Sequence, residues 1–130
     1  MATWNDVVSY LNSKYKCKQE STTMLSLHFG TIEDRSQLVW VQLVGNDKIG
    51  EFGLVSSAVG TVKDFNKLEA YCREAEEYVL GGIVIEGDHI MIRDSFPLLN
   101  LDVNELDAPL LLITAAADQI ERKITGNDAY

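Results

Sequence analysis

The chain has 130 residues, 20 of them acidic and 11 basic, which gives a formal net charge of −9. That length predicts one domain with a single self-sufficient core, needing neither a disulfide nor a structural metal. A field of that sign repels phosphate backbones, which excludes nucleic acid as a partner and favours basic ones.

In chain order, Thr3–Lys16 reads as an amphipathic helix, with Trp4, Val7, Val8, Leu11 and Tyr15 recurring on one face. Thr3 with Asp6 three residues on approaches a capping box. The polar run Lys16–Thr22 reads as a loop with room for a short edge strand. Met24–Phe29 alternates, with Leu25, Leu27 and Phe29 on one side and Ser26 and His28 on the other, as a half-buried strand does. Ser36–Val44 is apolar on both alternating faces and bracketed by turn residues, the pattern of a central strand covered on both sides. Phe52–Val59 is a third strand with small residues interspersed. Asp64–Leu80 predicts a second helix, with Phe65, Leu68, Cys72, Ala75 and Val79 as its core stripe, Tyr71 and Tyr78 beside it, and Gly81-Gly82 as its stop. Ile83–Glu86 and His89–Arg93 flank Gly87-Asp88 as a hairpin. A last helix begins near Asp107, its expected N-cap, and closes at Gly126. The fold class is therefore α+β, an antiparallel sheet of about five strands, with a sixth possible, and three helices in the order α-β-β-β-α-β-β-α. One domain spans residues 1–130.

Little catalytic chemistry is visible. His28 and His89 are the sole histidines, and each reads more simply as a solvated or hydrogen-bonded strand histidine than as a general base. Cys17 and Cys72 read as reduced thiols, with Cys72 a small hydrophobe on its helix stripe. Zinc would need both cysteines and both histidines to converge without ligand-type spacing. Glu86, Asp88, Asp94 and Glu105 read as hairpin and loop solvation rather than a carboxylate site. Trp40 reads as core before binding platform. No cofactor is expected. The start Met1-Ala2-Thr3-Trp4-Asn5-Asp6 shows no leader pattern, and no apolar run approaches the ~18 residues of a membrane span, so a cytoplasmic location without membrane contact is expected.

The element order, the acidic balance, the opening Trp4–Leu11 helix, the Gln37–Val41 strand and the Phe52–Gly60 strand together resemble the type III secretion chaperone-like fold. Within it, the chain is most similar to the YbjN-type bacterial family. The resemblance implies a non-enzymatic cytoplasmic protein, a homodimer that holds an extended peptide segment of another protein on apolar patches or a sheet edge. Val39, Val41 and Leu43, on one face of the central strand, are candidate partner-binding residues, with Leu38 and Trp40 on the opposing face as the alternative. Tyr71 and Tyr78 are candidate dimer contacts. The rival expectation is a small-molecule sensor or enzyme using His28 or Asp94 in a pocket beside the sheet.

Overall fold

The computed structural model describes residues 2–46, 48–76, 82–126 and 129, with the backbone alone at Asn46 and Phe65. Helix α1 (Trp4–Lys14) starts on the capping box expected of it: Asp6 N donates to Thr3 Oγ1 at 3.2 Å and Thr3 N donates to Asp6 Oδ2 at 2.8 Å. Four strands follow in a meander, β1 (Cys17–Ser21), β2 (Met24–Gly30), β3 (Ser36–Asn46) and β4 (Gly50–Thr61). A 3-10 segment, Val62–Lys67, leads into α2 (Leu68–Ala75). The hairpin β5 (Gly82–Glu86) and β6 (His89–Pro97) turns at Gly87, whose φ of 63° suits glycine. A second 3-10 turn, Val103–Leu106, precedes α3 (Asp107–Ile124).

The described strands form one antiparallel sheet in the order β1-β2-β3-β4-β6-β5. It has six strands rather than about five. The sixth is β1, the short edge strand for which the polar run Lys16–Thr22 had room. Its lysine and a register shift at Gln19 and Ser21 are devices that blunt an exposed edge.

All three helices lie on the same side. Leu25, Leu27, Val39, Val41, Val55, Ile90, Ile92 and Phe96 from the sheet form one buried cluster with Val7 and Leu11 of α1, Tyr71 of α2, and Leu110, Ile113, Ala117 and Ile120 of α3. Each fully buried Leu or Ile contributes roughly 1.5–3 kcal/mol. This corrects the expectation for the central strand. Val39 and Val41 are buried to within 1 % and Leu43 packs against the same cluster, so no partner reaches the first two and the helix-covered face is not a docking surface.

Helix α2 is also turned relative to its expected phase. Tyr71 is fully buried, whereas Leu68 and Cys72 are exposed, so Tyr71 belongs to the core and not to a dimer contact. Gly60 makes this possible: a Cβ there would lie 2.2 Å from Tyr71 Oη. Tyr78 and Val79 lie outside the described residues.

Three polar devices tie the sheet and its helices together. Gln37, fully buried, donates from Nε2 to Ser57 Oγ (2.8 Å) and to the Ala58 carbonyl (2.9 Å), bridging β3 and β4 beyond the last regular pair Trp40–Ser56. Arg35, in the β2–β3 turn, meets the buried carboxylates of Asp118 (3.0 Å) and Glu121 (3.5 Å) on α3. At the other end of α3, Asp107 accepts from Tyr10 (2.8 Å), Tyr15 (2.7 Å) and Lys14, binding α1 to α3. It is the first residue of that helix and not its N-cap.

Candidate functional site

With every helix on one side, the other side of the sheet is uncovered by any described element. The pairing register shows what that face presents. One cross-strand row reads Lys18, Ser26, Trp40, Ser56, Arg93 and Gly82. The next row along carries Met24, Gln42, Leu54 and Ser95. Leu38, Ala58, Val84, Met91 and His89 lie on the same face by alternation. Leu38, Trp40, Leu54 and Val84 are half-buried on this face.

Trp40 is therefore not core. It stands as a ridge, because both of its cross-strand neighbours are serines. Two hollows result. One, of about 680 Å³, runs over β2 between the start of β1 and Trp40, with Lys16, Lys18, Ser26, His28, Leu38, Trp40 and Ala129 among its lining. The other, of about 260 Å³, lies over β4, where Met24, Trp40, Ser56, Ala58, His89 and Met91 are among its lining. Arg93 is held along this face by Glu86 at 3.4 Å.

Neither histidine sits in a catalytic arrangement. His28 Nε2 lies 3.0 Å from Ser36 Oγ, and His89 Nδ1 lies 2.9 Å from Asp88 Oδ1 at the exposed hairpin turn. Asp94 lies in the register of the opposite, helix-covered face, opposite Val55, and accepts from the Ser95 amide at 2.8 Å. His28 and Asp94 therefore cannot share a site. Asp94 instead borders a groove of about 510 Å³ with Glu105, Pro109 and Leu112, while Glu86 and Asp88 lie at the far end of β6. Cys17 is half-buried, and burial pushes its thiol pKa up, which suppresses the nucleophilic thiolate. Cys72 is exposed rather than on a core stripe. Among the described residues no group of three or more His, Cys, Asp or Glu is placed to hold a metal ion. No helix of the described residues is long and apolar enough to cross a membrane.

Sequence reasoning offered Trp40, Leu38 and His28 for this face but missed Lys16, Lys18, Ser56 and Met91. The signal that joins them is strand register, which no single segment carries. A comparison with protein-family models and with curated proteins returns no match.

Proposed function

We propose that this is a non-enzymatic protein-binding domain, chaperone-like or regulatory, that engages another protein or an extended peptide segment on the uncovered sheet face. The observation that supports this reading is the one-sided placement of α1, α2 and α3, which leaves Leu38, Trp40, Leu54 and Val84 half-buried on a mixed face that also carries Ser26, Ser56 and Arg93. A second copy of the chain is one candidate partner, and homodimerisation belongs to the same proposal. The element order keeps the resemblance to the type III secretion chaperone-like fold and to the YbjN-type family as part of this reading, with β1 as an addition to the expected five strands. A cytoplasmic location is proposed with it. The dimer contact is moved from Tyr71, which is core, to the face around Trp40.

The test is site-specific photo-crosslinking in cells from two positions. A photoreactive residue at Leu54, on the uncovered face, should capture a protein at fixed stoichiometry. The same residue at Leu111, exposed on the outer side of α3, should not. Equal capture from both positions, or capture from neither, sinks the reading.

A further inference from the structure

The larger hollow on the uncovered face has a charge opposite to that of the molecule. The chain carries −9 overall, yet among the described residues the charged side chains that line the hollow between β1 and Trp40 are Lys16 and Lys18. Both lysines are exposed. Lys16 forms no ion pair among the described residues, and Lys18 has only a loose partner in Glu20, at 3.8 Å, whose carboxylate is also held by Ser26 Oγ at 2.8 Å. The floor is different in kind. Leu38 and Trp40 give a half-buried apolar wall, and Ser26 is small enough to leave room above β2. An aromatic platform next to two exposed lysines, one of them only loosely paired, is a surface that takes an apolar side chain with carboxylates at its flanks.

We infer that this hollow seats an acidic segment of a partner protein, with an aromatic or large apolar side chain against Leu38 and Trp40 and its carboxylates on Lys16 and Lys18. The inference rests on the reading of the uncovered face as a protein-binding surface and narrows it to one partner chemistry. The molecule's overall negative field slows the approach of such a segment, so recognition depends on the two lysines at short range and not on long-range steering. The hollow, of about 680 Å³, has room for a few residues rather than a folded element.

The experiment uses the intact chain and three pentapeptides, each with a central phenylalanine flanked on both sides by two aspartates, two asparagines or two lysines. Titrations at physiological salt are followed by NMR on the two indole N–H signals. Trp4 is an internal control, since its indole is buried and donates to the Thr22 carbonyl at 2.9 Å. The expected result is a saturable shift of the Trp40 indole with the aspartate peptide, a weaker response to the asparagine peptide and the weakest to the lysine peptide. The double variant Lys16→Glu, Lys18→Glu should weaken the aspartate peptide by about tenfold or more while leaving the core signals in place. If all three peptides shift Trp40 equally, or the double variant binds the aspartate peptide as the parent does, the charge selection is wrong while the face still binds peptides. If no peptide moves Trp40, the hollow is not a peptide seat. Crosslinking from Leu54 then decides separately whether the rest of the face docks a protein.

Discussion

Two glycines make room for aromatic rings. Gly60 faces Tyr71, and Gly53 pairs across the ladder with Phe96, whose ring would come within 2.0 Å of an added Cβ. In each case the missing side chain is filled by an aromatic ring, so the glycine is a packing position rather than a turn. Tyr71 is fully buried and has no route to yield, whereas Phe96 is near the groove beside α3. Gly60→Ala is therefore expected to destabilise the fold by about 2–3 kcal/mol through overpacking, and Gly53→Ala by less. Urea denaturation measures both, and an unchanged midpoint for Gly60→Ala would refute the placement of Tyr71. The phase of α2 was not legible from its sequence for a local reason. The stripe was read as one continuous helix from Asp64, but the 3-10 segment Val62–Lys67 is kinked at Asp64 (φ −94°, ψ 15°), and Lys67 (φ −107°, ψ 8°) breaks it from α2. The phase of the stripe does not carry through these breaks, and the core side falls on Tyr71 rather than Cys72.

Between elements, two polar junctions hold α3. The first is Asp107 with Lys14, Tyr10 and Tyr15. Burial raises the Asp107 pKa, but the hydrogen bonds from Lys14, Tyr15 and Tyr10 outweigh it and hold the carboxyl below the ordinary 3.8. Burial first and then the bond to Asp107 push the Tyr15 phenol from 10.0 up to about 12, and the bond to Asp107 raises the Lys14 ammonium as well. The depressed carboxyl gives stability that is present above the ordinary carboxylate range and is lost as pH falls through its folded value. The raised Tyr15 and Lys14 give stability that is complete below their unfolded values and is lost as pH rises through the folded ones. Asp107→Asn should therefore cost most between about pH 5 and pH 10 and differ least from the parent outside that window. Denaturation curves across pH check this, and a pH-independent difference would dissociate the junction from stability. The second junction is Arg35 with Asp118 and Glu121. Removing the cation leaves two buried carboxylates facing each other, so Arg35→Ala is expected to cost about 3–5 kcal/mol. Replacing all three with apolar residues of similar volume should recover most of it, which a thermal melt of the triple variant decides. Neither junction was legible in the sequence. Asp107 reads locally as a cap, and its partners on α1 lie more than ninety residues earlier.

Across the whole molecule, the sheet and the three helices were legible because alternation and helical spacing are local signals, as in Met24–Phe29 and Leu110–Ile124. Which side of β3 the helices take was not. Both sides of Ser36–Val44 are apolar, and the choice is made by the fit of α3 against β3, β4 and β6, far away in sequence. The two sides therefore differ in energy although they look alike in composition. Val41→Ser should cost about 2–4 kcal/mol by leaving a cavity and a buried hydroxyl, whereas Leu38→Ser on the uncovered face should cost less than about 1.5 kcal/mol. Chemical denaturation of the pair measures the gap, and equal losses would mean that both faces are closed.

The position of α3 in the chain has a consequence for synthesis. The helix that lies across β3, β4 and β6 is made after all six described strands. During translation α1 and the β1–β4 meander emerge first, and Val39, Val41 and Val55 lack the cover of α3 until residues 107–124 arrive. For that interval the core side of the nascent sheet is only partly covered, and its exposure to aggregation is set by elongation time more than by final stability. Slowing elongation after the codon for Pro97 should lower soluble yield without changing the melting temperature of the protein that does fold.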